Sequence, residues 1–293
     1  MILVHGGAGT VTPDRADRLR AGVRAAAAAG KQILDRGASA LDAVVAAVRT
    51  LELDPEFGAG IGSALTRDGT VETCASVMDG ATQRAGAVAA VPDLSAPVIL
   101  ARRVMEMGEH VVLAGPAAAR FAQEIGMPTA PAGSLVTPRS QQLLADAHAQ
   151  GGGAKIPQEG GSVGAVAVDA KGNFAAATST GGTLYRRPGT VDDSSIPGIG
   201  TWADKNCAVS TSGGESLFRI AFAHNIALRI EKGAGIRKAV KEALSDLKEL
   251  SKTEIAGAIV VAEGAWIALQ IGPAMPCAWF DNMGPNDAIG FPI

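Results

Sequence analysis

The chain has 293 residues, 47% of them hydrophobic, 19% charged and 4% aromatic, with 26 basic residues against 29 acidic ones and a formal net charge of −3. That is enough apolar chain for a large core in one domain or two, while the absence of a basic stripe and the scarcity of aromatics exclude nucleic acid as an expected partner. No segment reaches the roughly 20 apolar residues of a membrane span, the opening MILVHGGAGT has no basic leader, and the scattered Cys74, Cys207, Cys277, His5, His110, His148 and His224 form neither a disulfide framework nor metal-ligand spacing. A soluble cytoplasmic protein without membrane partners is expected.

In chain order, ILVHGG is a short buried strand ending in glycines. Thr12 and Pro13 open a helix running to about Gly37, and SALDAVVAAVRTLEL is a second, amphipathic helix with Ala40, Val44, Val45 and Val48 on one face. Phe57 to Met78 reads as two strands around the turn Arg67-Asp68-Gly69, and Thr82 to Val91 as another strand. Pro97–Met107 and Pro116–Ile125 are short helices opened by proline, a favoured first helical position. Ser140–His148 is the last helix of this half.

Gln150 to Gly161 is glycine-rich and patternless, and is expected to be an exposed, mobile loop. The second half repeats the recipe. VGAVAVD and NFAAATS are strands, Asn206 to Ser210 is a strand, and GESLFRIAFAHNIALRI and AGIRKAVKEALSDLKEL are two helices. GAIVVAEG and AWIALQIG form a hairpin, and CAWF closes the chain. Strands, helices and strands in each half predict a layered α+β body with helices on both outer faces of antiparallel sheets.

Ser162 stands where the loop stops and a strand begins, and three readings are open. A serine between glycines is commonly solvent-facing punctuation. Gly160-Gly161-Ser162-Val163-Gly164 also matches G-x-S-x-G, and His5-Gly6-Gly7 is like an oxyanion segment. A nucleophile elbow, however, needs a strand before the serine and a helix after it, and the sole downstream histidine, His224, lies in an apolar helical run. In the third reading the chain is cut between Gly161 and Ser162. The freed α-amine, with an ordinary pKa near ~8, then serves as base for the serine's own hydroxyl.

A set of ordered segments resembles the plant-type L-asparaginase / isoaspartyl peptidase family of N-terminal-nucleophile hydrolases, nearly end to end. They are VHGGAGT, GAGIGSALTRDG, SVMDG, RAGAVAAV, PVILARRVME, SVGAVAVDAKGNFAAATSTGG, VDDSSIPGIGTWAD and STSGGESLFR. The resemblance implies an α+β, four-layer αββα sandwich in one domain, residues 1–293. Self-cleavage at Gly161–Ser162 would yield an α subunit, 1–161, and a β subunit, 162–293, which stay together, two such pairs assembling as a homodimer of αβ pairs. It implies hydrolysis of β-aspartyl amides, namely L-asparagine and isoaspartyl dipeptides, with action of the same fold on another amide, or an uncleaved inactive precursor, as the alternatives. No catalytic cofactor is implied.

Residue by residue, the resemblance makes Ser162 the nucleophile where the family has threonine. Serine lacks the methyl that stiffens χ1, so looser orientation and slower self-cleavage are expected. Thr180 supplies the second hydroxyl beside it. Thr211 and Ser212 stand at the oxyanion pair, followed by Gly213 and Gly214. Serine there replaces glycine, which raises the expectation of crowding and of a left-handed penalty. In the substrate anchor, Asp193 matches the family's aspartate, Thr190 replaces the carboxylate-binding arginine, and Asp192 replaces a glycine, making the pocket more negative. Arg186 and Arg187 are nearby loop arginines, expected to be solvated. Gly58 replaces an asparagine and Cys74 an aspartate. A structural sodium ion is implied near Leu53, Phe57, Gly58, Ile61 and Ser63.

Overall fold

A computed structural model describes residues 1–127, 129–152, 160–252, 255–281 and 284–293. Most of the expected loop Gln150–Gly161, namely residues 153–159, lies outside the described residues.

Strand β1 (Ile2–His5) leads into helices α1 (Pro13–Asp35) and α2 (Ala40–Leu53). Pro13 sits in the first turn of α1, where its missing N–H is not needed. Ser39 and Asp42 close a reciprocal capping box on α2. The antiparallel strands β2 (Glu72–Asp79) and β3 (Arg84–Pro92) follow, then α3 (Pro97–Met107), the short strand β4 (Val112–Ala114), α4 (Gly115–Glu124) and α5 (Pro138–Ala149).

The second half opens with β5 (Val163–Val168) and β6 (Phe174–Thr180), paired from Val163↔Ser179 to Val168↔Phe174. It continues through a 3₁₀ turn (Asp193–Ser195), β7 (Thr201–Ala203), β8 (Cys207–Ser212), α6 (Ser216–Arg219), α7 (Phe222–Glu231) and α8 (Ile236–Leu250). The hairpin β9 (Ala256–Ala262) and β10 (Ala265–Ile271) precedes β11 (Cys277–Asp281) and β12 (Gly284–Ala288).

The strands form an eight-stranded sheet, β12-β11-β1-β5-β6-β2-β3-β4, and a four-stranded sheet, β10-β9-β8-β7. One core lies between the large sheet and α1 to α4, centred on Val23, Val44, Val48, Val88 and Leu100. A second joins the small sheet to α7 and α8 through Phe222, Ile226, Leu244 and Val260. A third, with Leu3, Val166, Ala208, Val261 and Cys277, fills the space between the sheets. These cores separate four layers, helices, sheet, sheet, helices, which is the αββα sandwich.

Three sequence expectations need correction. Phe57–Met78 contains one strand, not two. Gly60–Gly62 is a 3₁₀ turn, and the carbonyl of Gly58 accepts from Gly181 N at 2.7 Å, so this backbone is committed to packing beside β6 rather than to a ladder. The single helix expected over Gly214–Ile230 is split at Ala221, whose φ of 46° is left-handed. The first amides of α7 are drawn outward, with Ala223 N donating to Ile199 O and His224 N to Gly198 O. Strands β4, β7 and β12 extend the expected set.

Two buried titratable groups brace the layers. Glu52 Oε1 accepts from Ser179 Oγ on β6 at 2.7 Å and from Val98 N at the start of α3 at 2.9 Å. Burial pushes its carboxyl up to about 7, against the pull of these donors and of Arg49. His5 Nε2 pairs with Ser210 Oγ on β8 at 2.9 Å, joining the two sheets. Burial pushes its imidazole down to about 3, the adjacent Ser162 backbone offsetting part of the shift.

The two groups bias stability in opposite directions. The folded chain holds the Glu52 proton more tightly than the unfolded one, so Glu52 favours folding progressively as pH falls from about 7 to 4.5. The folded chain resists protonating His5, so stability is lost as pH falls from 6.5 towards about 3. Each effect spans a few kcal/mol, on the order of 3 and 5 respectively at ~1.4 kcal/mol per pH unit. Glu52→Gln keeps an oxygen for Ser179 and Val98 and removes the titration. Denaturant midpoints of the Glu52→Gln chain should therefore fall between pH 6.5 and 4.5 more steeply than those of the parent, where the two slopes oppose; equal slopes would show that Glu52 does not titrate in this window.

Candidate active site

The site sits where β5 begins. Ser162 is the residue before that strand, and continuing the β5–β6 register by one step sets it opposite Thr180. Both are nearly buried, at 3% exposure. Thr180 Oγ1 accepts from Gly182 N at 2.9 Å, fixing the turn that leaves β6.

The peptide ahead of Ser162 is enclosed by backbone. A Cβ on Gly7 would overlap Gly161, and one on Gly58 would lie 3.0 Å from the Gly161 carbonyl oxygen. Glycine is thus needed at Gly7 for close approach, and the Gly161 carbonyl faces Gly58, where the family's asparagine would stand. On the far side, Ser212 Oγ accepts from Ala8 N at 2.9 Å, and a Cβ on Gly161 would lie 2.5 Å from that hydroxyl. Ser212 is fully buried in the extended backbone of β8, so the expected left-handed penalty does not arise. Its side chain crowds Gly161, and so holds the residue before Ser162.

Thr211 faces away from Ser212, as alternation along β8 requires. Its Oγ1 lies 3.3 Å from Gly200 O and 3.4 Å from Ile199 O. Gly213 and Gly214 follow directly, leading into α6, and Leu217 N donates to Gly214 O.

The anchor segment has a different electrostatic arrangement from the one expected. Arg186 is not a solvated loop arginine; its side chain is 5% exposed and donates to the carbonyls of Gly181 and Glu72. Its Nε lies 3.7 Å from Asp192 Oδ2, so the added Asp192 carries a buried counter-charge. Burial pushes the Asp192 carboxyl up, and Arg186 opposes that shift. The Cys74 thiol lies 3.8 Å from the same carboxylate, and burial with that negative neighbour pushes it up to about 11, leaving it an inert thiol. Thr190 Oγ1 bonds back to Arg187 O at 2.7 Å, within its own loop. Asp193 is buried in the 3₁₀ turn that also carries Ser194.

Sequence reasoning missed two groups at Ser162. Ser194, fully buried, donates its hydroxyl to Ser162 Oγ at 2.7 Å. His5 lies against the Ser162 backbone. The HGG motif drew attention to His5, but only the strand pairing His5↔Gly164 brings it here. A Cβ on Gly164 would overlap His5 Nε2 and Ser210 Oγ, so glycine at that position makes their contact possible. His5 is a poor base at neutral pH and its Nε2 is committed to Ser210. His224 instead packs edge-on against Trp202, with ring centroids 4.5 Å apart. Neither histidine supports a Ser–His esterase.

In the segment of the expected sodium loop, a Cβ on Gly60 would overlap Glu52 O, and one on Gly62 would overlap Phe57 O. Glu52 O thus packs against Gly60, and Pro55 O and Phe57 O against Gly62. Gly58 O and Gly60 O accept hydrogen bonds from Gly181 and Ser63. Among the described residues no cluster of His, Cys, Asp and Glu is placed to hold a metal.

The comparisons agree with this geometry. The family model described as asparaginase matches residues 1–284. An isoaspartyl peptidase/L-asparaginase of Rattus norvegicus is 42% identical over 288 residues, 96% of this chain and 86% of the rat protein. The Homo sapiens protein of the same description is 43% identical over 95% of this chain and 92% of its own length. An isoaspartyl peptidase of Salmonella typhimurium is 43% identical over 80% of this chain and 79% of its own length. The αββα layers and a serine at the head of β5 fit the same class, and the chain belongs to the isoaspartyl peptidase/L-asparaginase family of N-terminal-nucleophile amidohydrolases.

Proposed function

We propose that the chain cleaves itself between Gly161 and Ser162 and then hydrolyses β-aspartyl amides, L-asparagine and isoaspartyl dipeptides, with Ser162 as nucleophile. The observation that carries the reading is the placement of Ser162. It is a buried hydroxyl, hydrogen-bonded at 2.7 Å, at the head of a strand and next to a peptide packed between glycine backbones.

In the first step Ser162 Oγ attacks the Gly161 carbonyl carbon. The C–N bond breaks, the nitrogen takes up the hydroxyl proton, and an ester joins Gly161 to Ser162. Water then releases residues 1–161 with a new carboxylate, and residues 162–293 begin with a free amine. In turnover that amine, of ordinary pKa near ~8, takes the Ser162 proton. Oγ attacks the substrate amide, ammonia or an amine leaves with the proton, and water hydrolyses the acyl ester. Thr180 is the neighbouring hydroxyl. Thr211, Ser212, Gly213 and Gly214 border the developing oxyanion and the acyl group. Asp193 receives the substrate ammonium.

The carboxylate anchor is the weak part of this pocket. Thr190 has no charge to offer, and Arg186 is held by two carbonyls beside Asp192. This favours weak binding of free L-asparagine and leaves room for amides that lack an α-carboxylate. From the family resemblance we also infer a structural sodium ion near Leu53, Phe57, Gly58, Ile61 and Ser63, a segment in which the backbone oxygens of Glu52, Pro55 and Phe57 pack against Gly60 and Gly62. We also infer, from the family resemblance, that two αβ pairs assemble and that the protein works in the cytoplasm. The described residues include no helix long and apolar enough to cross a membrane.

Intact mass under denaturing conditions tests the first claim. After incubation at 37 °C, the parent should give two fragments meeting at Gly161/Ser162, and Ser162→Ala should stay whole. A parent that stays whole overturns self-cleavage.

Thr190→Arg combined with Asp192→Gly tests the anchor. A bidentate guanidinium–carboxylate pair contributes about 1.5–3 kcal/mol, so KM for L-asparagine should fall by about 10- to 100-fold with little change in kcat. An unchanged KM would show that the substrate carboxylate does not reach this position.

A further inference from the structure

We propose that Ser194 is a positioning residue for the nucleophile, doing for Ser162 what the methyl group of a threonine would do. The inference rests on the reading of Ser162 as nucleophile and adds a residue that holds it.

The hydroxyl of Ser162 hangs on an unbranched Cβ, so its own covalent structure leaves three staggered wells open. A β-branched residue would restrict χ1 by itself. Here the restriction comes from outside. Ser194 Oγ donates to Ser162 Oγ at 2.7 Å, and both side chains are removed from water. A buried hydroxyl turned to another well would lose this partner, which biases the rotamer population by about 2- to 10-fold.

A positioning residue must itself be fixed, and Ser194 is. It lies in the 3₁₀ turn closed by Ser195 N and Ser195 Oγ, both donating to Asp192 O, and by Ile196 N donating to Asp193 O. Its own carbonyl accepts from Ser76 Oγ on β2 at 2.7 Å. Ser76 Oγ is also 2.7 Å from Thr201 Oγ1 on β7, which donates to Thr178 Oγ1 on β6 at 2.6 Å. A Cβ on Gly200 would lie 2.5 Å from Asp193 O, so the chain behind the turn closes tightly on it. The donor is therefore anchored to strands of both sheets.

The direction of the bond suits a nucleophile. Ser194 gives its proton and Ser162 receives it, so the Ser162 proton is not committed to Ser194 and remains available to a base. The same donor faces the oxygen as it sheds that proton, where a hydrogen bond to a more negative oxygen is stronger. Ser194 also follows Asp193 directly, so one short turn carries both the proposed ammonium anchor and the group that aims the nucleophile.

The test is a double-mutant cycle between Ser194→Ala and Ser162→Thr. Self-cleavage is timed by intact mass, and kcat and KM are measured on the cut protein. Ser194→Ala should slow cleavage and lower kcat by about 2- to 10-fold with KM unchanged in the parent, and have a clearly smaller effect when residue 162 is threonine. Equal losses in both backgrounds, or no loss in either, overturn the proposal. A third readout does not need cleavage: crystal structures of the parent and Ser194→Ala chains, cut or whole. Ser162 should occupy one χ1 well in the parent and more than one in Ser194→Ala. A single unchanged well in both would overturn the proposal, whereas a parent that never cuts would overturn only the functional reading.

Discussion

The two sheets are held in register by a line of buried hydroxyls, and the position of Ser162, the proposed nucleophile, depends on that line. It starts at Ser76 on β2 and passes to Thr201 on β7, Thr178 on β6, Ser210 on β8 and His5 on β1, with each contact at 2.6 to 2.9 Å. It therefore crosses repeatedly between the large sheet and the small one. An apolar interface would bury as much surface, but hydroxyl pairs require one register, because each unpartnered hydroxyl in this setting costs about 1–3 kcal/mol. Both ends of the line reach Ser162. His5 lies against its backbone and Ser76 holds the carbonyl of Ser194. The relative position of the sheets thus becomes the position of a reacting atom.

The proposed substrate anchor follows a different logic, that of charge balance. A buried aspartate beside an aspartate would be expected to repel an anionic substrate. Arg186 changes this, because it is inside the protein, 3.7 Å from Asp192, with its other donors spent on Gly181 and Glu72 carbonyls. An arginine held this way neutralises a neighbour but cannot swing out to clamp a carboxylate. On the proposed reading the pocket lacks a carboxylate clamp, while Arg186 offsets the charge of Asp192. On the proposed reading that combination would change which acyl groups bind well.

Much of this was legible in the sequence, and the gaps have physical causes. The alternating or continuous apolar runs of VGAVAV, FAAATST and AIVVA declare strands, and Pro13, Ser39 and Pro97 declare helix starts. The break at Ala221 was hidden because alanine is a strong helix former, and the break comes from amides captured by the loop at 198–199. Strands β4 and β7 have three residues each, too few for a period to show. β12 carries Pro285, Asn286 and Asp287, which have low strand propensity and are tolerated on an edge. At the site, Ser162 stood out because a loop ended on it. Ser194 did not, since a serine in GTVDDSSIPG reads as turn chemistry until the turn is set against β5.

With Ser162 as the proposed nucleophile, serine in place of the family's threonine would also have consequences for how the site is built. A threonine nucleophile brings part of its orientation with it, so its surroundings can be permissive. A serine nucleophile brings none, and its aim must be written into neighbours that do not move. The structure provides those neighbours on three sides: Ser194 on the hydroxyl, His5 on the backbone, and Ser212 with Gly7 on the residue before the bond to be cut. His5 and Ser212 belong to strands and Ser194 to a short turn whose backbone is already hydrogen-bonded. Such a site is pre-organised in the uncut chain, so cleavage of the Gly161–Ser162 bond would add the base and free the Gly161 carboxyl end without rebuilding the geometry around the oxygen.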